Sequence, residues 1–186
     1  MVQQLFRKST NTLARLLIVG GAGGAMLVAI TAWAVYHSPW KSRVDVKIEQ
    51  PIPFSHKHHA GELGIDCRYC HTQVETDADA GLPATETCMH CHSIIWKDAP
   101  MLAPVRESLA QGTPLSWQRV YKLPDYVFFN HSMHVQHGVQ CDTCHGKIET
   151  MPLVSRAQDL TMRWCIDCHE QQPDAARLTD CDTCHR

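Results

Sequence analysis

Hydropathy divides the chain into two unequal parts. Residues 16–36 form a run of 21 positions without a charged side chain. As a helix, that run would span about 32 Å, the thickness of a bilayer's hydrocarbon core. Beyond it the pattern predicts only short elements. Residues 104–111 read as a short helix, with Pro104 near its start and Gly112 at its end. Residues 117–121 read as an extended segment that ends at Pro124. Elsewhere the chain predicts short helices and irregular loops, with little sheet.

The apolar run has two competing readings. A cleavable signal peptide has an apolar stretch of about 7–15 residues followed by a small-x-small site. Ala32-Trp33-Ala34 fits such a site, but the run is too long, which favours an uncleaved anchor. Trp33, Tyr36 and Trp40 suit an interfacial belt at its exit end. Flanking charge orients it only weakly, because Arg7, Lys8 and Arg15 before the span face Lys41, Arg43 and Lys47 after it. Within the span, Gly20 and Gly24, and Gly21 and Ala25, stand four apart. Small residues at that spacing let a second helix approach closely, which points to a membrane partner.

Composition narrows the function classes. A formal charge of −2, 44% apolar residues and 19% charged ones exclude a disordered tail protein and a strongly basic nucleic-acid binder. All acidic residues follow residue 37, while three of the basic ones precede it, so the remainder is acidic. The expected organisation is an N-terminal segment and anchor at 1–37 and one domain at 38–186.

The chemistry lies in the cysteines. All ten fall into five C-x-x-C pairs: Cys67/Cys70, Cys88/Cys91, Cys141/Cys144, Cys165/Cys168 and Cys181/Cys184. Each pair is followed at once by a histidine: His71, His92, His145, His169 and His185. C-x-x-C-H is the attachment signature of c-type haem. Two thiols add to the two haem vinyl groups as thioethers, and the adjacent imidazole becomes the proximal iron ligand. Zinc sites and thioredoxin-like sites also use C-x-x-C, but neither needs an adjacent histidine five times over. Five covalent haems on so short a domain would supply much of its interior. Covalent attachment takes place on the outer face of a bacterial cytoplasmic membrane. That places the N-terminus inside and residues 38–186 in the periplasm.

Eight histidines remain for the second axial positions: His37, His56, His58, His59, His90, His131, His134 and His137. An internal repeat narrows them. Phe54-Ser55-His56-Lys57-His58-His59 and Phe129-Asn130-His131-Ser132-Met133-His134 each read F-x-H-x-x-H, and each precedes a G-(I/V)-x-C-x-x-C-H motif. Residues three apart share a helix face. Two such imidazoles cannot both complete one iron that already has a proximal ligand, so each pair should serve two haems and hold them close. For a fifth distal ligand the candidates are His37, His58, His90, His137, Met101, Met133, Met151 and Met162, of which Met162, three residues before Cys165, either ligates or packs on a porphyrin. Methionine raises haem potential and would suit an electron exit.

F-x-H-x-x-H before C-x-x-C-H resembles the class III multihaem cytochromes c. The resemblance implies that His56 ligates the haem on Cys67/Cys70 and His131 the haem on Cys141/Cys144, with His59 and His134 reaching two others. The implied fold class is a mainly α and irregular multihaem cytochrome c with a haem-packed core and one N-terminal transmembrane helix. Residues 93–128 carry no motif and form an insertion between the second and third. It would either cover haem edges or act as a docking strap.

A more specific resemblance is carried by FSHKHHAGELGIDCRYCH, ETCMHCHSIIW, APMLAPVRES, LPDYVFFNHSMH and LTMRWCIDCH. These phrases resemble the pentahaem, membrane-anchored subunit of bacterial alternative complex III. That resemblance implies a non-catalytic electron relay in a quinol-oxidising complex. The implied partners are an iron–sulfur subunit, polytopic quinol-binding subunits and a periplasmic acceptor (a small cytochrome c, a copper protein or an iron–sulfur protein). A related quinone-reductase complex running in the opposite direction is the variant of this reading. The alternative is a stand-alone membrane-anchored quinol dehydrogenase feeding a periplasmic reductase. It fits less well, because the first motif begins about 30 residues after the apolar span. A catalytic multihaem reductase needs an open iron position, and distal ligands are not in short supply.

Overall fold

The computed structural model describes residues 7–185; residues 1–6 of the N-terminal segment and residue 186 of the haem region lie outside the described residues. The chain divides into two compact units, with the boundary between Arg43 and Val44.

The first unit is dominated by α1 (Lys8–Tyr36), 29 residues long and hence about 44 Å. From Ser9 onward it is exposed along its length. The stretch Ser9–Ser42 is long and apolar enough to cross a membrane, its most apolar 18 residues having a mean hydropathy of 2.0. The helix stops at His37, whose N–H still reaches the Trp33 carbonyl at 3.1 Å. Pro39 then starts a second short helix, α2 (Pro39–Ser42), because its ring fits a first turn but would break a continuous one. The Lys41 ammonium sits 3.5 Å from the centre of the Tyr36 ring.

The second unit is helical and strand-free among the described residues, apart from a lone parallel bridge between Val44 and Arg156. Its helices are α3 (Cys67–Cys70), α4 (Thr85–His92), α5 (Ala103–Gln111), α6 (His131–Gln136), α7 (Cys141–His145), α8 (Met162–His169), α9 (Ala175–Leu178) and α10 (Cys181–Cys184). None is long enough to persist alone, so side chains pin their starts. Asp66 accepts from the Arg68 N–H at 2.8 Å, Asn130 from Met133 at 3.2 Å and Thr161 from Trp164 at 3.3 Å. The expected helix at 104–111 is α5, which ends at Gly112 with φ +63°, the left-handed cap that glycine adopts without strain. The segment at 117–121 has no strand partner; the Gln50 side chain holds it, donating to the Gln118 carbonyl (3.0 Å) and accepting from its N–H (2.9 Å).

Two packing contacts position the motifs. Helix α5 lies on α4, where the buried Thr85 and Ser108 hydroxyls share a 2.6 Å hydrogen bond. A wide π-type turn, Lys57–Glu62, lies on the 3-10 turn Ile148–Thr150. There Gly61 approaches Glu149 so closely that a Cβ would collide with the carbonyl oxygen.

The polypeptide's own core is minimal. Ile52 and Val105 are the buried apolar residues among those described. Two apolar side chains cannot offset the backbone entropy of more than a hundred ordered residues. Large apolar groups beyond the side chains are therefore needed to fill this unit, which the haem-packed fold class requires.

Candidate haem sites

Each C-x-x-C pair occupies one short helix. Cys67/Cys70 form α3, Cys88/Cys91 lie in α4, Cys141/Cys144 in α7 and Cys165/Cys168 in α8, and Cys181/Cys184 form α10. Residues three apart lie above one another on a helix face, so the two sulfurs project to the same side and the histidine follows at or just past the last turn. None of the ten cysteines is paired in a disulfide.

Cys67, Cys91, Cys141 and Cys181 are exposed and the other six, Cys168 among them, are half-buried, so the sulfurs are accessible for attachment. Cys168 lies beside Cys144 of the third motif, so the third and fourth pairs are close in space. Burial, first of all, pushes the Cys67, Cys70, Cys88, Cys144 and Cys165 thiols up, and thiols of other motifs add to it at all of these but Cys88. This is the reverse of the lowered values at reactive thiolate sites.

The histidines show a common hydrogen-bond pattern. Nδ1 donates to a backbone carbonyl in His71 (Gly81, 2.8 Å), His92 (Ile95, 3.0 Å), His169 (Leu178, 3.0 Å) and His185 (Tyr126, 3.0 Å). The same holds for His59 (Ser55, 2.9 Å), His131 (Ala78, 2.8 Å) and His134 (Asn130, 2.8 Å). A proton held on Nδ1 leaves the Nε2 lone pair free and fixes the ring plane, the arrangement that prepares histidine for a metal. Two histidines differ. The His145 ring is braced edge-on by Tyr121, centroids 4.4 Å apart. His56 has a buried Nδ1 without a partner among the described residues. Both rings are held neutral, lowered to about 4: His56 by burial, then by His71 and His59, and His145 by burial, then by His131 and His71.

The imidazoles face one another across motifs. His131 and His145 are nearly parallel, 6.3 Å apart at 9°. His134 and His169 are 6.0 Å apart at 25°, and His59 and His92 are 6.2 Å apart at 64°. A metal ion between two imidazoles, with bonds of about 2.0–2.1 Å and about 1.1 Å from each nitrogen to its ring centre, separates the centres by about 6.2–6.4 Å. The His59–His92 and His131–His145 spacings fall within that range, and the His134–His169 spacing lies just below it. His56 neighbours His71, which contributes to its lowered value. In each repeat the phenylalanine braces both histidines. Phe54 lies 4.9 Å from His56 and 4.4 Å from His59, and Phe129 lies 4.7 Å from His131 and 4.6 Å from His134.

The remaining histidines are engaged differently. His58 donates to the Glu62 carboxylate at 2.8 Å and stacks on Trp96; this hydrogen bond is the main reason the Glu62 carboxyl is lowered. His90 shares a 2.8 Å bond with the Tyr69 hydroxyl. His137 is exposed and donates to the Met133 carbonyl. Met162 opens α8 with its side chain 67% exposed. His185 has its ring 5.9 Å from Tyr126.

Other contributors carry no signature in sequence. The carbonyls of Ala78, Gly81, Ile95, Tyr126 and Leu178 orient the candidate histidines, and any residue type supplies a carbonyl. Tyr121 comes from the insertion, where its hydroxyl accepts from the Ala157 N–H at 2.9 Å. With Tyr126 and Trp96, which lies 6.5 Å from His92, it brings residues 93–128 against the histidines of the second, third and fifth motifs.

The Class III cytochrome C family matches residues 34–103, and the family of cytochrome c7 and related cytochromes c matches residues 127–186. A similar protein is the menaquinone reductase, multiheme cytochrome c subunit, of Nitratidesulfovibrio vulgaris (strain Hildenborough). It is 38% identical over 98 residues, which is 52% of this chain and 46% of that relative. The chain thus aligns with about half of the relative's length. Residues 34–103 are thus similar to class III cytochromes c and residues 127–186 to cytochrome c7 and related cytochromes c, families whose members bind haem covalently.

Proposed function

We propose that this chain is a five-haem electron-relay subunit of a membrane-bound quinone oxidoreductase complex. The observation that carries the reading is the pairing of histidines from the two F-x-H-x-x-H turns with proximal histidines of different motifs. Haem, when bound, supplies a one-electron iron couple. The ten cysteines would anchor it, with His71, His92, His145, His169 and His185 on the proximal side. His56, His59, His131 and His134 would close the distal side of four sites, with Met162 proposed for the remaining one. With both axial positions filled by protein, small substrates have no open coordination position, and the chain moves electrons without bond chemistry. The carbonyl hydrogen bonds at Nδ1 hold the rings still, so little reorganisation is needed when charge changes.

The proposed location is the bacterial cytoplasmic membrane, with α1 as a single span, the N-terminus inside and the haem domain in the periplasm. An isolated span is a poor quinone pocket, so the quinone chemistry is assigned to polytopic partner subunits beside an iron–sulfur subunit. The direction proposed from the resemblance is quinol oxidation, as in alternative complex III, with delivery to a periplasmic acceptor. A second direction, reduction of a menaquinone, is favoured by the name of the similar cytochrome subunit.

Extraction of the protein from its own membranes in mild detergent, with identification of the co-purifying chains, tests the reading. A stable assembly containing iron–sulfur and polytopic subunits is expected, and steady-state assays with quinol and with quinone would assign the direction. A lone cytochrome that takes electrons directly from quinol would replace the relay reading with the stand-alone dehydrogenase.

A further inference from the structure

We propose that the five attachment sites form one unbranched row in the order second, first, third, fourth, fifth motif, so that electrons enter and leave at the second and fifth. This rests on the reading that all five motifs carry haem.

Each link in the row has its own contact. The second and first sites share the turn that carries His59 and His56. His59 faces His92 of the second motif, Phe54 lies against both His59 and His56, and the two motif loops meet directly where the Tyr69 hydroxyl of the first lies 2.8 Å from His90 Nδ1 of the second. The first and third sites share the loop at 77–81. The Gly81 carbonyl takes the Nδ1 proton of His71 at 2.8 Å, and the Ala78 carbonyl takes that of His131 at 2.8 Å. The same loop accepts the backbone N–H groups of His131 (3.2 Å) and Ser132 (3.1 Å). Two residues of loop, Asp79 and Ala80, thus separate the anchor of one site's proximal ligand from the anchor of the next site's distal ligand.

The third and fourth sites repeat the first arrangement. His131 faces His145, His134 faces His169, and Phe129 touches both distal rings. The fourth and fifth sites are joined through the segment around α9. The Leu178 carbonyl holds Nδ1 of His169 at 3.0 Å, and the adjacent Arg177 carbonyl accepts from Thr183 inside the fifth motif at 2.7 Å. The row therefore departs from chain order at its start. Each repeat couples its own motif to the following one, and the 77–81 loop joins the two repeats through the first and third sites rather than the second and third.

The test uses the full-length haem-loaded protein in detergent. Intact mass first counts the haems. Fewer than five overturns the five-haem reading itself, whereas five leaves only the order at issue. His59→Gly then opens one axial position at the second site and creates a high-spin band whose midpoint potential is read alone. In that background one haem is removed, from the first site by Cys67→Ala with Cys70→Ala, or from the third by Cys141→Ala with Cys144→Ala. Charge coupling falls with distance, so the first removal should shift the reporter's midpoint more than the second. Equal shifts, as chain order would give, or a larger one from the third site, overturn the order. Where a variant fails to accumulate, a density map of the intact loaded protein reads the iron neighbours directly. First-site and third-site irons that are not adjacent overturn it as well.

Discussion

Replacing His131 and His134 by alanine, singly and together, tests whether one helical turn serves two irons. The two rings lie on the same face of α6, three residues apart, yet they face different partners, His145 at 6.3 Å and His169 at 6.0 Å. Each single variant should convert about one fifth of the haem iron from six-coordinate low spin to high spin, and the double variant about two fifths, because each loss empties one axial position of five. Each removal also deletes an Nδ1 hydrogen bond of 2.8 Å and a contact with Phe129. These are worth about 1 and about 0.5–1.5 kcal/mol respectively, so the fold should lose about 2 kcal/mol per variant and persist. Ferric absorbance and electron paramagnetic resonance, normalised to total haem, read the converted fraction. A double variant that converts no more iron than either single variant would refute the reasoning, since both histidines would then belong to one site.

Gly61→Ala should destabilise the protein by about 1–3 kcal/mol, seen as a lower thermal midpoint, because the new Cβ meets the rigid Glu149 carbonyl. Its effect on absorbance should centre on the sites of His56 and His59, which flank that turn. Tyr121→Phe should cost about 1–2 kcal/mol in denaturant titration, since the Ala157 N–H loses its 2.9 Å acceptor. The ring stays against His145, so the haem spectrum should not change. Ser108→Ala should cost about 1–3 kcal/mol by leaving the buried Thr85 hydroxyl without its 2.6 Å partner. The loosening should appear as faster amide exchange in α4 and α5, with α8 unaffected.

Several features were legible before any coordinates. The helix at 104–111 and its glycine cap followed from propensity and a left-handed φ that few other residues tolerate. The apolar span followed from length alone, and α1 exceeds it by extending into the polar residues before residue 16. The distal pairs were legible as pairs, because i, i+3 geometry is local. The stabilising carbonyls at Ala78, Gly81 and Leu178 were not, since a main-chain oxygen leaves no trace in residue type. Nor was the role of Tyr121, which reaches His145 from a segment 24 residues away.

The division has a physical cause. Haem attachment is specified within five consecutive residues, because two thiols and one imidazole on a single turn meet one porphyrin. The expected attachment motifs and the candidate span could therefore be read from spacing and composition, while the family expectation came from a resemblance of longer phrases. Which imidazole faces which motif depends on how loops return through space, and on contacts such as Gly61 against Glu149 and His131 against Ala78. Those contacts join residues dozens of positions apart, with almost no apolar core to constrain them. The pairing of His59 with the second motif and His134 with the fourth was decided only by the tertiary structure.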